Sequence, residues 1–110
     1  MNYKLVDNSD QVLAAFKTQV ERGLDAIGQT AVGYAKDDTP VDTGRLRNSE
    51  DYKVEEESSM HWSVYIGTNV EYAPFIEFGH GNYTGVHFLK NAAANHGSEY
   101  KNIMETSLKS

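Results

Sequence analysis

The chain has 110 residues, enough for one domain with a modest core. It has no cysteine, which excludes disulfides and thiolate zinc sites, and no apolar run near the roughly 20 residues that span a bilayer. A net charge of −6 argues against a sequence-independent grip on nucleic acid, which needs a basic face.

Residues 9–37 read as one long helix. Leu13, Phe16, Val20, Leu24, Ile27, Ala31 and Tyr34 recur at steps of three or four and share one stripe. Asn8 is placed to cap it, with Gln11 completing a capping box. Gly23, Gly28 and Gly33 each weaken a helix by about 1 kcal/mol relative to alanine, so packing must hold it. Either a neighbour approaches these glycines closely or they only relieve crowding. Pro40 ends the element at Thr39. The next stretch, TPVDTGRLRNS from Thr39 to Ser49, reads as a linker with little to offer a core. In an extended segment Arg45 and Arg47 would point the same way.

Residues 51–57 and 61–67 alternate around the turn EESSM. Tyr52 and Val54 face one way; Trp62, Val64 and Ile66 share a face opposite to His61, Ser63 and Tyr65. Such a hairpin is marginal unless a helix covers it, and the long helix is the cover. Tyr72, Phe75, Ile76 and Phe78 suit a short helical turn with Pro74 near its start and Gly79 as its stop; an edge strand is the competing reading. Residues 79–87 read as a glycine-rich loop. From Val86 to Leu108 helical spacing returns, interrupted at Gly97. The expected fold is α+β: a long N-terminal helix and a C-terminal helix packed on a small antiparallel sheet built around a hairpin. Residues 1–110 form a single domain in this reading, with mobile loops near 37–50 and 79–87. The opening MNYKLVDNSD has no apolar h-region, so no signal peptide is expected there.

Chemistry is sparse. His61, His80, His87 and His96 show neither HxH, HxxxH nor HExxH spacing, so no metal site is expected. His96 falls on the apolar stripe, as a core or boundary histidine would. The acids at 37–38 and 55–57 read as solvated, the second set blunting a strand edge. No nucleophile elbow, Walker loop or dinucleotide fingerprint occurs, and GHGNYTG lacks the setting of a phosphate cradle. No catalytic residue and no cofactor is expected.

TPVDTGRLRNS, then IGTNVEYAPFIEFG, then HFLKNAA, in that order, resemble the small neck or tail-completion proteins of long-tailed siphophages and related prophages. The resemblance runs from about Ala26 to Ala94. It departs from the family pattern at His80, where threonine is usual, at His87-Phe88-Leu89, where proline usually opens the motif, and at Lys90, where arginine is favoured. The resemblance implies a non-enzymatic virion part at the head–tail junction or in the tail, working as a ring of copies around the path of the genome. Its neighbours would be head-closure, tail-terminator or tail-tube proteins. DNA would pass nearby without specific binding, no membrane would be involved, and assembly would take place in the host cytoplasm.

The motif positions carried over are Val41, Asp42, Thr43, Gly44, Arg45, Leu46 and Arg47, and Tyr72, Ala73, Pro74, Glu77, Phe78 and Gly79. Phe75 joins them as an apolar interface candidate. Leu46 and the 72–78 aromatics would anchor on a neighbour, and Arg45 and Arg47 would pair with its acids. Within this reading a tail terminator or minor tail protein is the alternative to a neck ring. A nucleic-acid or anion-binding module using Arg45 and Arg47 is a rival of another class, and a small enzyme using His80, His87 and Glu77 is a second.

Overall fold

A computed structural model describes residues 9–40 and 44–109. The order is α1 (Ser9–Asp38), α2 (Gly44–Ser49), β1 (Asp51–Ser58), β2 (His61–Gly67), α3 (Ala73–Phe78), β3 (Gly79–His80), β4 (Tyr83–Thr84), α4 (Phe88–Ala94) and α5 (Gly97–Lys109). The fold is α+β, as the hydrophobic periodicities require. Its radius of gyration is 19.0 Å, against about 13 Å for a compact domain of this length, and its extents are 77 × 23 × 19 Å.

The axis is α1, whose 30 residues span about 45 Å. The hairpin β1–β2 lies along one side. Its strands pair Tyr52 with Ile66, Val54 with Val64 and Glu56 with Trp62, with a bulge between Glu56 and Ser58 that offsets the end of the ladder. Tyr52, Val54, Trp62, Val64 and Ile66 are half-buried while Asp51, Lys53 and Tyr65 are exposed, which is the expected alternation. The Tyr52 ring presses on α1 at Gly28, where an added Cβ would stand 2.2 Å from it. The Tyr52 hydroxyl donates to Asp25 at 3.1 Å. At Gly23 an added Cβ would stand 2.9 Å from the Met104 sulfur of α5. Two of the three helix glycines therefore admit a neighbour, and Gly33 faces open space.

Helix α5 runs back along α1. Ser107 donates to the Gln19 carbonyl at 2.6 Å, Tyr34 bonds Glu99, and the rings of Tyr34 and His96 stack with centroids 3.5 Å apart. The single C-terminal helix expected from periodicity is two helices broken at Asn95–His96, just before Gly97. His96 sits in that break, half-buried beneath Tyr34.

The core lies at the C-terminal end of α1. Ala35, Leu46, Val70, Ala73, Phe88 and Ala92 form its buried centre, and Leu46 and Phe88 are the large side chains fully enclosed. Burying each contributes about 1.5–3 kcal/mol. Within the expected loop 37–50, α1 continues to Asp38 and Gly44–Ser49 is helical, with Leu46 entering the core. Val41, Asp42 and Thr43 lie outside the described residues. Residues 73–78 are helical with Pro74 in the first turn and Gly79 closing it at φ 93°, so the edge-strand alternative falls. Within the expected loop 79–87, Gly79–His80 pairs with Tyr83–Thr84, and Val86 donates to the Ile76 carbonyl at 2.9 Å.

Candidate functional site

The two motif stretches meet. Arg45 Nη1 and Nη2 donate to the two carboxylate oxygens of Glu71, each at 2.9 Å, and the guanidinium lies 5.7 Å from the centre of the Tyr72 ring. This two-point pairing lowers the Glu71 pKa and raises that of Arg45. One helical turn on, Ser49 Oγ bonds Thr68 and donates to the Leu46 carbonyl at 2.7 Å. Thr68 Oγ1 accepts from the Val70 amide at 3.1 Å. Leu46, Val70 and Ala73 share the core beneath.

This geometry corrects several expectations. Because Gly44–Ser49 is helical, Arg45 and Arg47 are rotated about 200° apart and do not point the same way. Arg45 satisfies its fork on the chain's own Glu71. The pairing of Arg45 with a neighbour's acids, and the anion site built on both arginines, therefore lose the geometry they assumed. Leu46 is 0% exposed and packs into the chain's own core. Arg47 is half-buried and its charge acts on Glu50.

Glu77 is also internal. At 5% exposure it accepts from the Leu89 amide at 2.8 Å and the Lys90 amide at 3.2 Å, satisfying donors at the start of α4. His87 Nδ1 stands 3.9 Å from its second oxygen. The carboxylate that could have served the enzyme reading is thus committed to backbone. Among the described residues, no group of three or more His, Asp or Glu side chains is placed to hold a metal. No helix among them is long and apolar enough to cross a membrane.

Gly44, Pro74, Phe75 and Phe78 remain exposed, and Tyr72 is half-buried. Phe78 is 73% exposed, on the lip of an open groove of about 850 Å³ between β2 and helices α3 and α4. Val64, Ile66, Val70, Pro74 and Leu89 line it. A second apolar surface lies at the far end of α1. The N-terminal supports there are the ion pair Lys17–Glu56 at 3.5 Å and the bond from Ser107 to Gln19. Residues 11–16, beyond those supports, are all exposed. Val12, Leu13 and Phe16 are 59%, 45% and 39% accessible, and Met60 at the hairpin turn and Leu108 near the end of α5 are exposed as well. Sequence periodicity assigned Leu13 and Phe16 to the core stripe. The stripe exists, but among the described residues it runs past every element that packs on α1.

Glu71, Thr68 and Glu50 were absent from the sequence-derived site. Glu71 carried a usable signal, an acid beside the aromatic motif opposite an unpaired arginine. Glu50 carried none, since a lone acid before a strand looks like any surface residue.

A family model described as "Bacteriophage HK97-gp10, putative tail-component" matches residues 4–79. The match takes in both meeting motifs and stops before His87-Phe88-Leu89. No characterised protein and no solved structure shows significant similarity to the chain.

Proposed function

Because the chain belongs to the HK97-gp10-like family of bacteriophage tail components, we propose that it is a structural part of a tailed-phage virion that assembles as a ring at the head–tail junction. The observation that supports this most is the apolar surface left at both ends of an elongated molecule: Val12, Leu13 and Phe16 at one end, Phe75 and Phe78 with the groove at the other. A chain that finished its life as a free monomer would gain nothing from leaving so many large apolar side chains in water. Distinct surfaces at opposite ends suit head-to-tail contact between copies, which closes into a ring when the rotation permits. The same surfaces would serve a tail terminator or a minor tail protein, whose neighbours differ but whose docking chemistry does not.

The remaining interface candidates in this reading are Gly44, Tyr72, Pro74, Phe75 and Phe78, with Val41, Asp42 and Thr43 beside them in sequence. A net charge of −6 suits a wall past which DNA slides, since an acidic surface repels phosphate. Salt-sensitive duplex binding by the purified protein would count against that part.

The test is the double substitution Leu13→Asp with Phe16→Asp. The purified variant should stay folded, destabilised by no more than about 1–2 kcal/mol, because both side chains are only partly covered on this chain. Expressed in place of the parent, it should yield heads and tails that fail to join or complete. Full yields of infectious particles from a folded variant would refute the docking role.

A further inference from the structure

Between the end of α1 and the start of β1, two polar side chains are buried together. Thr39 is 3% and Glu50 4% exposed. Thr39 Oγ1 lies 2.7 Å from the Ala35 carbonyl and 2.8 Å from Glu50 Oε2. A hydroxyl has one proton, so it cannot donate to both oxygens. If Thr39 donates to a Glu50 carboxylate, its oxygen is left 2.7 Å from a carbonyl with no proton between them. If Thr39 donates to Ala35, Glu50 must supply the other proton. Glu50 Oε1 is buried with no hydrogen-bond partner. That is tolerable for the carbonyl oxygen of a neutral acid and costly for a carboxylate.

We propose that Glu50 is carried as a neutral carboxylic acid whose proton completes the chain Glu50–Thr39–Ala35, and that its ionisation loosens the corner holding α2 against α1, making this corner a proton-controlled latch. Among the described residues, the charged groups acting on Glu50 are Lys36 on α1 and Arg47 on α2; Asp51, its neighbour on β1, is exposed. Both cations favour the ionised form, yet neither bonds the carboxyl. Burial outweighs them and the Thr39 bond, and pushes the Glu50 pKa up. A raised folded-state pKa contributes stability that is present at low pH and lost as pH rises through it. The latch therefore holds below the ordinary carboxylate pKa and weakens as pH rises through the raised one. What it holds is α2, and with it the Leu46 anchor and the Arg45–Glu71 pair.

Two measurements test this on the whole chain. Carboxyl-carbon NMR of the Glu-labelled wild-type protein should show one glutamate titrating above the ordinary carboxylate pKa, missing from the spectrum of Glu50→Gln. A Glu50 resonance already ionised at the ordinary carboxylate pKa overturns the proposal. Glu50→Gln keeps a donor toward Thr39 at every pH. Its melting temperature should match the wild type below the ordinary carboxylate pKa and exceed it by a margin that widens until pH passes the raised value. Parallel melting curves across the pH range, or a Gln variant less stable than the wild type at alkaline pH, also overturn it.

Discussion

The N-terminal third of α1 and the corner between α2 and α3 invert each other. Residues 11–16 carry Val12, Leu13 and Phe16 in helical spacing, and every one is exposed. The stretch Gly44–Ser49 reads as polar and linker-like, yet it supplies Leu46, one of the two large side chains fully enclosed. Periodicity identifies which face of a helix is apolar, but not whether the chain folds anything over it. A single leucine among short polar residues can in turn be the side chain around which a core closes. The difference teaches that this protein builds its fold at one end of the long helix and leaves the other end as surface.

The sharpest way to break that contrast is at the enclosed end. Leu46→Ala should cost about 2–5 kcal/mol, read as a shift of the urea midpoint, because it empties a site with no route to collapse. A loss no larger than that of a surface substitution would mean that the corner is not core. Next comes Glu77→Ala. It strips two amide donors of α4 of their acceptor and should cost about 1–3 kcal/mol in the same measurement. Glu77→Gln, which keeps one acceptor oxygen, should recover part of that.

At the exposed end, the Leu13→Asp and Phe16→Asp pair should lower stability less than Leu46→Ala does while removing assembly, so the two ends separate by which readout fails. The smallest effect belongs to Arg45→Ala. The pair with Glu71 is solvent-exposed, and such pairs contribute little and are weakened by salt. Glu71 is held below its ordinary pKa, so its contribution is present at neutral pH and lost as pH falls through the lowered value. The melting difference between wild type and Arg45→Ala should therefore shrink in acid and in high salt. A large difference independent of both would make the arginine a packing residue.

Much of this was legible in the residues. The long helix, the hairpin and its faces, and the Pro74–Gly79 helical turn follow from local spacing and turn chemistry, which act over a few residues. The helix α2 was not legible, because six residues with two arginines have no helical signal without the tertiary site that receives Leu46. The break before α5 was legible in part: Gly97 marked an interruption in the spacing, but not that the chain would divide into two helices with His96 stacked on Tyr34 in the break. The intrachain partners of Arg45 and Glu77 were not legible for one reason. Charged side chains in a motif look like interface residues until the partner on the same chain is visible.

The central claim is that the uncovered stretch of α1 is covered in the assembled particle. An image of the tailed virion, at a resolution that traces helices, tests it most directly. Residues 11–16 should lie against a neighbouring subunit, with Leu13 and Phe16 out of solvent. A particle in which they still face water, or in which this chain is absent, would contradict the account.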